Sequence, residues 1–230
     1  MHDAPLSGAV PDRAQADVLG ALETLLKDLY DADSPHRAVD FVITDAALAG
    51  GLSGGAPLRS QETLLVRQAP DGLDLSLYLD ADALSGLVRE NPLQALGDAN
   101  LQDFCTVLEG LSHFLYVSWN AGFDRAVTPL ELEMQAEVDK YVSAVLLRRH
   151  QGSDWDTLHT HLFEAFRLVD DLSPALAARY LDASRLAARY CLALRQRFLE
   201  QGDIGGLLTE LRRFWRLTRD AKIRHIHAGH

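Results

Sequence analysis

A narrow stripe of polar side chains crosses an otherwise apolar segment, residues 100–120, and carries the residue types best suited to chemistry. The stripe contains Glu109, Ser112, His113 and Tyr116. Steps of three or four place these side chains on one face of a helix. Glu109 and His113 lie one turn apart, so they could form an acid/base pair or half of a metal site. The alternatives are that the pair satisfies itself or a backbone group at a helix contact, or that the stripe is the solvated edge of the helix.

Further carboxylates follow in the next predicted helix, where Glu133 and Glu137 share a face. If this helix packs on the polar stripe, then Glu109, His113, Glu133 and Glu137 could converge on a divalent metal. Di-iron bundles use Glu-x-x-His pairs on two helices, whereas this chain has a single Glu-x-x-x-His pair. Acidic residues early in a helix also favour its dipole. We therefore keep two expectations for the cofactor, none or a divalent metal.

The segment 207–226 is predicted to be one last helix, and it is the most basic part of the chain. Its candidate anion-binding or partner-binding residues are Arg212, Arg213, Arg216, Arg219 and Arg224. Such a surface could bind phosphate, nucleic acid or an acidic partner. The alternative is that the arginines pair with the acidic front half of the same protein. Trp155 and Trp215 are expected to be exposed, and His159, His161, His225, His227 and His230 to be solvent histidines.

Charge and composition exclude several classes of protein. The net charge is −11, with 18 acidic and 6 basic residues in 1–110 against 15 and 16 in 111–230. An acidic first half repels nucleic acid and anionic membranes, so neither is an expected partner. The chain contains no Gly-x-Gly-x-x-Gly, P-loop or Gly-x-Ser-x-Gly pattern.

The sequence also favours a cytoplasmic location. We expect no signal peptide, and no apolar run approaches the roughly 18–20 residues of a membrane span. Cys105 and Cys191 lie outside any metal-ligand spacing and within apolar helical runs. Two reduced, buried thiols are the simplest interpretation.

The front half is predicted to be a mixture of helix and strand. Residues 1–12 are expected to be a disordered lead, followed by a helix over 14–30, a strand over 38–44 and a glycine-rich loop over 49–60. The strongest β signal is the pair 63–68 and 73–79, in which leucines alternate with polar residues around a Pro-Asp-Gly turn. It predicts an antiparallel hairpin, followed by a short helix over 81–90 and the central helix.

The back half is predicted to be helical. Thr128 and Pro129, with Glu131 three residues after the cap, form a capping box that starts a helix to about 149. Further helices are expected over 155–170, 173–201 and 207–226. The predicted fold is therefore α+β and predominantly helical. A small hairpin or sheet in residues 13–125 packs on about four antiparallel helices in 126–228, within one continuous core.

The sequence supports three competing hypotheses about the function of the protein. The first is a non-enzymatic interaction, adaptor or regulatory module that binds a protein partner or self-associates. The second is a metal-binding protein or enzyme using the polar stripe, and the third is nucleic-acid or phosphate binding by the arginine-rich segment.

Overall fold

The computed structural model describes residues 10–55, 58, 60–69, 72–164 and 173–229. These belong to two compact units, Met1–Thr24 with Ser34–Gly122, and Leu25–Asp33 with Phe123–His230. In the described residues the fold is predominantly helical, with a small mixed sheet in the N-terminal half. This confirms the predicted fold class. Most of the predicted lead, residues 1–9, lies outside the described residues.

The first unit contains the sheet and the central helix. Its elements are α1 (Arg13–Tyr30, of which the part to Thr24 belongs here), a 3-10 turn (Ala38–Phe41), β1 (Val42–Ile43), α2 (Ala46–Leu52), β2 (Glu62–Ala69), β3 (Gly72–Leu79), α3 (Ala81–Arg89) and α4 (Leu101–Ala121).

The predicted hairpin is confirmed. β2 and β3 pair antiparallel without interruption, with Leu64 opposite Leu77 and Val66 opposite Leu75. The turn residues 70–71 lie outside the described residues. β1 pairs parallel with β3, so the strand order is β1-β3-β2 and β2 lies at one edge. The alternation of leucines fixes this register, since a slip by one residue would turn them to the other face.

Two predictions in this unit were wrong in part. The strand expected over 38–44 is a 3-10 turn followed by a two-residue strand. The first four residues of the loop expected over 49–60 belong instead to α2, although two of them are glycines. The Asp45 carboxylate caps α2, because its Oδ1 accepts hydrogen bonds from the N–H groups of Ala47 at 2.8 Å and Leu48 at 3.1 Å. This cap satisfies donors that would otherwise be unpaired at the helix start.

The core of the first unit lies between α4 and the sheet. Phe104, Leu108, Leu111 and Leu115 of α4 are fully buried, as a helix apolar on nearly all sides should be. Gly110 allows the close approach, because an added Cβ there would lie 2.8 Å from the Leu79 side chain. The central helix was therefore predicted correctly, and its glycine sets its distance from β3.

The second unit is all-helical in its described part. Its elements are the end of α1 from Leu25, α5 (Pro129–His150), a π-helical turn (Thr160–Glu164), α6 (Pro174–Leu194), a second π-helical turn (Arg195–Leu199), α7 (Ile204–Trp215) and α8 (Arg219–Ala228).

Side-chain caps explain where the helices of this unit start. The Thr128 hydroxyl accepts from the Glu131 N–H at 3.3 Å, and Ser173 does the same for Leu176 at 3.4 Å. Both caps precede a proline at the first helical position, as the sequence predicts. The single helix predicted over 207–226 is wrong, since Thr218 is extended (φ −72°, ψ 162°) and separates α7 from α8.

The helix predicted over 155–170 is irregular where it is described. A turn at 156–157 leads into the π-helical turn, and residues 165–170 lie outside the described part. Cys105 and Cys191 are buried and neither forms a disulfide, as predicted. Within the described ranges no helix combines the length and the apolar character that crossing a membrane requires.

Candidate functional site

The polar stripe of α4 lies inside the first unit. Ser112 and Tyr116 are fully buried, His113 is 4% exposed, and Glu109 is half-buried. The solvated-edge alternative is therefore wrong for three of the four residues. Burying an imidazole and a carboxylate beside one another is costly unless each meets a polar partner, so their surroundings decide what the stripe can do.

A carboxylate from the sheet faces the buried imidazole. The Glu62 Oε2 atom lies 3.5 Å from His113 Nδ1, and the two side chains are 13% and 5% exposed. This distance is long for a hydrogen bond, but it is short enough for the carboxylate charge to orient the ring and to pair with its protonated form.

Sequence reasoning missed Glu62, although a signal was present. Side chains of a strand alternate between faces, so Glu62 shares the core-facing side of β2 with Leu64 and Val66. A charged residue at a core-facing strand position is uncommon and needs a partner. Gly110 of α4 is adjacent to this carboxylate, since an added Cβ there would be in ordinary contact with Glu62 Oε2 at 3.5 Å.

Glu109 completes the polar group within this unit. Its carboxylate and the His113 ring bring potential ligand atoms within 4.8 Å of each other. A histidine that ligates a metal commonly has its other ring nitrogen directed at a carboxylate. With Nδ1 facing Glu62, Nε2 is the nitrogen that would coordinate. The arrangement can therefore supply one imidazole ligand from His113 and one carboxylate ligand from Glu109. The Glu62 carboxylate would face the other ring nitrogen.

The remaining predicted ligands, Glu133 and Glu137, belong to α5 in the second unit. Both are half-buried, and Glu137 pairs with Lys140 Nζ at 2.8 Å. Their convergence with Glu109 and His113 stays a prediction. The Glu131 carboxylate, placed at the helix start by the capping motif, accepts from the Arg125 guanidinium.

The second unit contains a buried polar network that the sequence did not reveal. The Lys222 ammonium donates to Gln135 Oε1, and Gln135 Nε2 donates to Asp139 at 2.7 Å. The Tyr30 hydroxyl donates to the same carboxylate. All four residues are fully buried. Trp215, expected to be exposed, is also fully buried and stacks on Tyr30 with ring centroids 4.1 Å apart.

Burial changes the proton affinities of this network. Desolvation lowers the pKa of Lys222 to about 7, against the opposing charges of Glu131 and Asp139. Desolvation also raises the pKa of Tyr30 well above its ordinary value, and the charge of Asp139 raises it further.

His225 was expected to be a solvent histidine, and that prediction was wrong. The residue is 7% exposed, and its Nε2 lies 2.5 Å from the Glu210 carboxylate, which also accepts from the Tyr190 hydroxyl at 3.2 Å. His161 and His227 are exposed, as expected, whereas His159 is half-buried with its Nε2 2.9 Å from the Ala188 carbonyl. His230 lies outside the described residues.

The predicted basic surface is largely occupied by contacts within the second unit. Arg212 donates to the carbonyls of residues 28 and 29, and Arg216 to those of residues 30 and 31, at 3.1–3.3 Å. Arg219 pairs with Asp220 at 2.8 Å, while Arg213 and Arg224 are exposed. Because α7 ends at Trp215 and α8 begins at Arg219, these arginines do not lie on one continuous helix.

Fold and site together define a predominantly helical α+β protein with a buried imidazole between two carboxylates. No protein-family model, curated protein or solved structure matches the chain. The proposals that follow therefore depend on the geometry of its own residues.

Proposed function

We propose that this chain is a metal-binding protein that holds a divalent transition metal through Glu109 and His113. One observation supports this proposal above the others, namely the proximity of the Glu62 and Glu109 carboxylates to the His113 ring in the first unit. Glu62 lies 3.5 Å from one ring nitrogen, and the Glu109 carboxylate lies one helical turn from the ring with ligand atoms within 4.8 Å.

The ligand types favour particular metals. An imidazole with a carboxylate suits zinc, manganese or iron, whereas magnesium and calcium prefer all-oxygen sites. Glu62 would make the imidazole a better ligand, since a carboxylate at the second nitrogen fixes the tautomer and raises ring basicity. Fully buried Ser112 and Tyr116 would restrict water around the ligands.

The competing explanation is structural. A protonated His113 could pair with Glu62 beside Glu109 without any metal, and the three residues would then be an ion-pair cluster with one excess negative charge. The two explanations differ in what they predict after metal is offered. A metal-binding site takes up the ion stoichiometrically and gains stability by mass action, whereas an ion-pair cluster takes up none.

The test is native mass spectrometry and elemental analysis of untagged protein incubated with zinc, manganese or ferrous ions. We expect one bound ion per chain, which Glu109→Gln and His113→Gln should each abolish. Glu62→Gln should weaken metal affinity by about 10- to 100-fold, because it removes the carboxylate that faces the second ring nitrogen of His113. His227→Gln is the matched control, since this exposed histidine could bind metal adventitiously.

Two further outcomes decide between the hypotheses. Protein that stays metal-free with all three ions, or that retains its metal in both ligand variants, would refute the proposal. Glu133→Gln and Glu137→Gln, measured in the same way, test the sequence prediction that these two residues complete the ligand set.

A further inference from the structure

The outer edge of the sheet offers a surface unrelated to the metal proposal. β2 pairs with β3 along its full eight residues, and no other strand in the described part of the chain pairs with it. Its second half is open, with Val66 50% exposed and the Arg67 side chain 83% exposed. The unpaired N–H and C=O groups of such an edge are a template for another strand.

Proteins commonly protect an edge strand with a lysine, a proline, a bulge or a very short length. β2 has the sequence ETLLVRQA, without lysine or proline, and its register against β3 continues from Glu62 to Ala69 without a bulge. The basic residue of the strand is Arg67, and its guanidinium forms a salt bridge with the Asp74 carboxylate of β3 at 2.6 Å. Inward-pointing and exposed charges also protect edges, and Glu62 and Arg67 supply them, but the central run Leu64–Val66 between these two residues carries none of the common protections.

We propose that β2 pairs antiparallel with β2 of a second copy of this chain, about a two-fold axis at Leu65. In this register Leu65 lies opposite Leu65 of the second copy, and Leu64 lies opposite Val66. Thr63 then faces Arg67, and Glu62 faces Gln68. The pairs match apolar with apolar residues and place no like charges opposite each other, which is what cross-strand pairing favours.

The neighbouring registers fit less well. An axis at Val66 sets Leu65 against Arg67 and Leu64 against Gln68, and an axis at Leu64 sets Glu62 against Val66. The two-fold axis is perpendicular to the sheet. The core-facing sides of the two sheets therefore lie on the same side of the dimer. Half-exposed Val66 then gains an apolar neighbour, so a second copy fits the edge.

The test is the mass of the full chain in solution, by sedimentation equilibrium over a concentration series. The wild type should be a dimer. Leu65→Lys and Leu65→Glu should each raise the dimer dissociation constant by at least about tenfold, because each replaces the central apolar pair with like charges. An equimolar mixture of the two variants should restore the dimer, which also shows that both variants are folded.

The control is Leu73→Lys, since Leu73 is 37% exposed on β3, away from the edge. It should leave the dimer intact. A wild type that is monomeric at every concentration would refute the inference. An extended segment of another protein would then be the alternative partner of the β2 edge. A dimer that Leu65→Lys does not weaken, or a mixture that stays monomeric, would equally refute it.

Discussion

Replacing Lys222 by Met should change how the stability of the protein depends on pH. The Lys222 ammonium is fully buried within the second unit, bound to Gln135 and 4.6 Å from the centre of the Phe214 ring. Its pKa is lowered from 10.5 to about 7. At about 1.4 kcal/mol per unit of pKa, keeping the amine charged in the folded state costs on the order of 5 kcal/mol.

The direction of the pH effect follows from proton binding. Below pH 7 the folded and unfolded states both hold the proton, and the full cost of burying the charge is present. Between pH 7 and 10.5 the folded amine is neutral while the unfolded one remains charged, so the free energy of unfolding rises with pH. From pH 6 to 9 this single group should add roughly 2 to 3 kcal/mol.

The assay is urea unfolding of the wild type and Lys222→Met at intervals from pH 6 to 9. Measurement stops at pH 9 because the pKa values of Tyr30 and Tyr190 are raised by burial, and at higher pH these groups lower stability. The stability of the wild type relative to Lys222→Met should increase by roughly 2 to 3 kcal/mol over the range. In the variant Gln135 Oε1 loses its donor, and the cost of this loss is the same at each pH, so it does not alter the trend.

Lys140→Met is the matched control, because it removes another buried ammonium, one that a Glu137 oxygen contacts at 2.8 Å. Measured over the same pH range, this variant shows how much of the difference a change of another buried lysine to methionine produces. If the difference between wild type and Lys222→Met stayed constant from pH 6 to 9, the lysine would be ionised alike in both states, and the reasoning from burial would be refuted.

Two further predictions concern single side chains. Gly110→Ala should destabilise the protein by about 1 to 3 kcal/mol, because the added methyl group meets Leu79 at 2.8 Å and Leu77 at 3.0 Å. Thermal unfolding would measure it beside a Gly20→Ala control, whose added methyl group meets no atom within 4 Å, and equal melting temperatures would contradict it. Cys191 is fully buried and its pKa is raised well above the ordinary value by desolvation, so its thiol should react with iodoacetamide at neutral pH only after urea unfolding. Rapid labelling of Cys191 in the native protein, followed by peptide mass spectrometry, would show that reasoning to be wrong.

Sequence predicted the elements whose signals are local. The hairpin follows from the alternation around Leu75 and Leu77, and the start of α5 from Thr128 followed by a proline. The extent of α2 was missed because its glycines suggested a loop, whereas the Asp45 cap and the helical hydrogen bonds outweigh the roughly 1 kcal/mol that each glycine costs. The break at Thr218 was missed because the basic residues continue through it.

The candidate site was predictable only for residues on one helix. Glu109 and His113 could be paired from spacing alone, since one helical turn separates them. Glu62 lies about fifty positions away in the chain, and nothing local connects it to His113. Lys222 lies in the most basic segment of the sequence, and nothing local shows that its amine will meet Gln135 inside the protein. Local sequence patterns do not reveal contacts between segments that are far apart in the chain.

The arginine contacts at the end of α1 carry a consequence for how this protein can change over evolution. Arg212 and Arg216 bind the main-chain oxygens of residues 28–31, and every amino acid provides such an oxygen. Residues 28–31 can therefore be substituted without loss of these hydrogen bonds, provided that the backbone keeps its course. The two arginines lack this freedom, since lysine cannot offer the paired donors of a guanidinium. Among homologues, we expect the two arginines to be invariant beside a variable exposed position 28, whereas Leu29 and Tyr30 are constrained by their own burial.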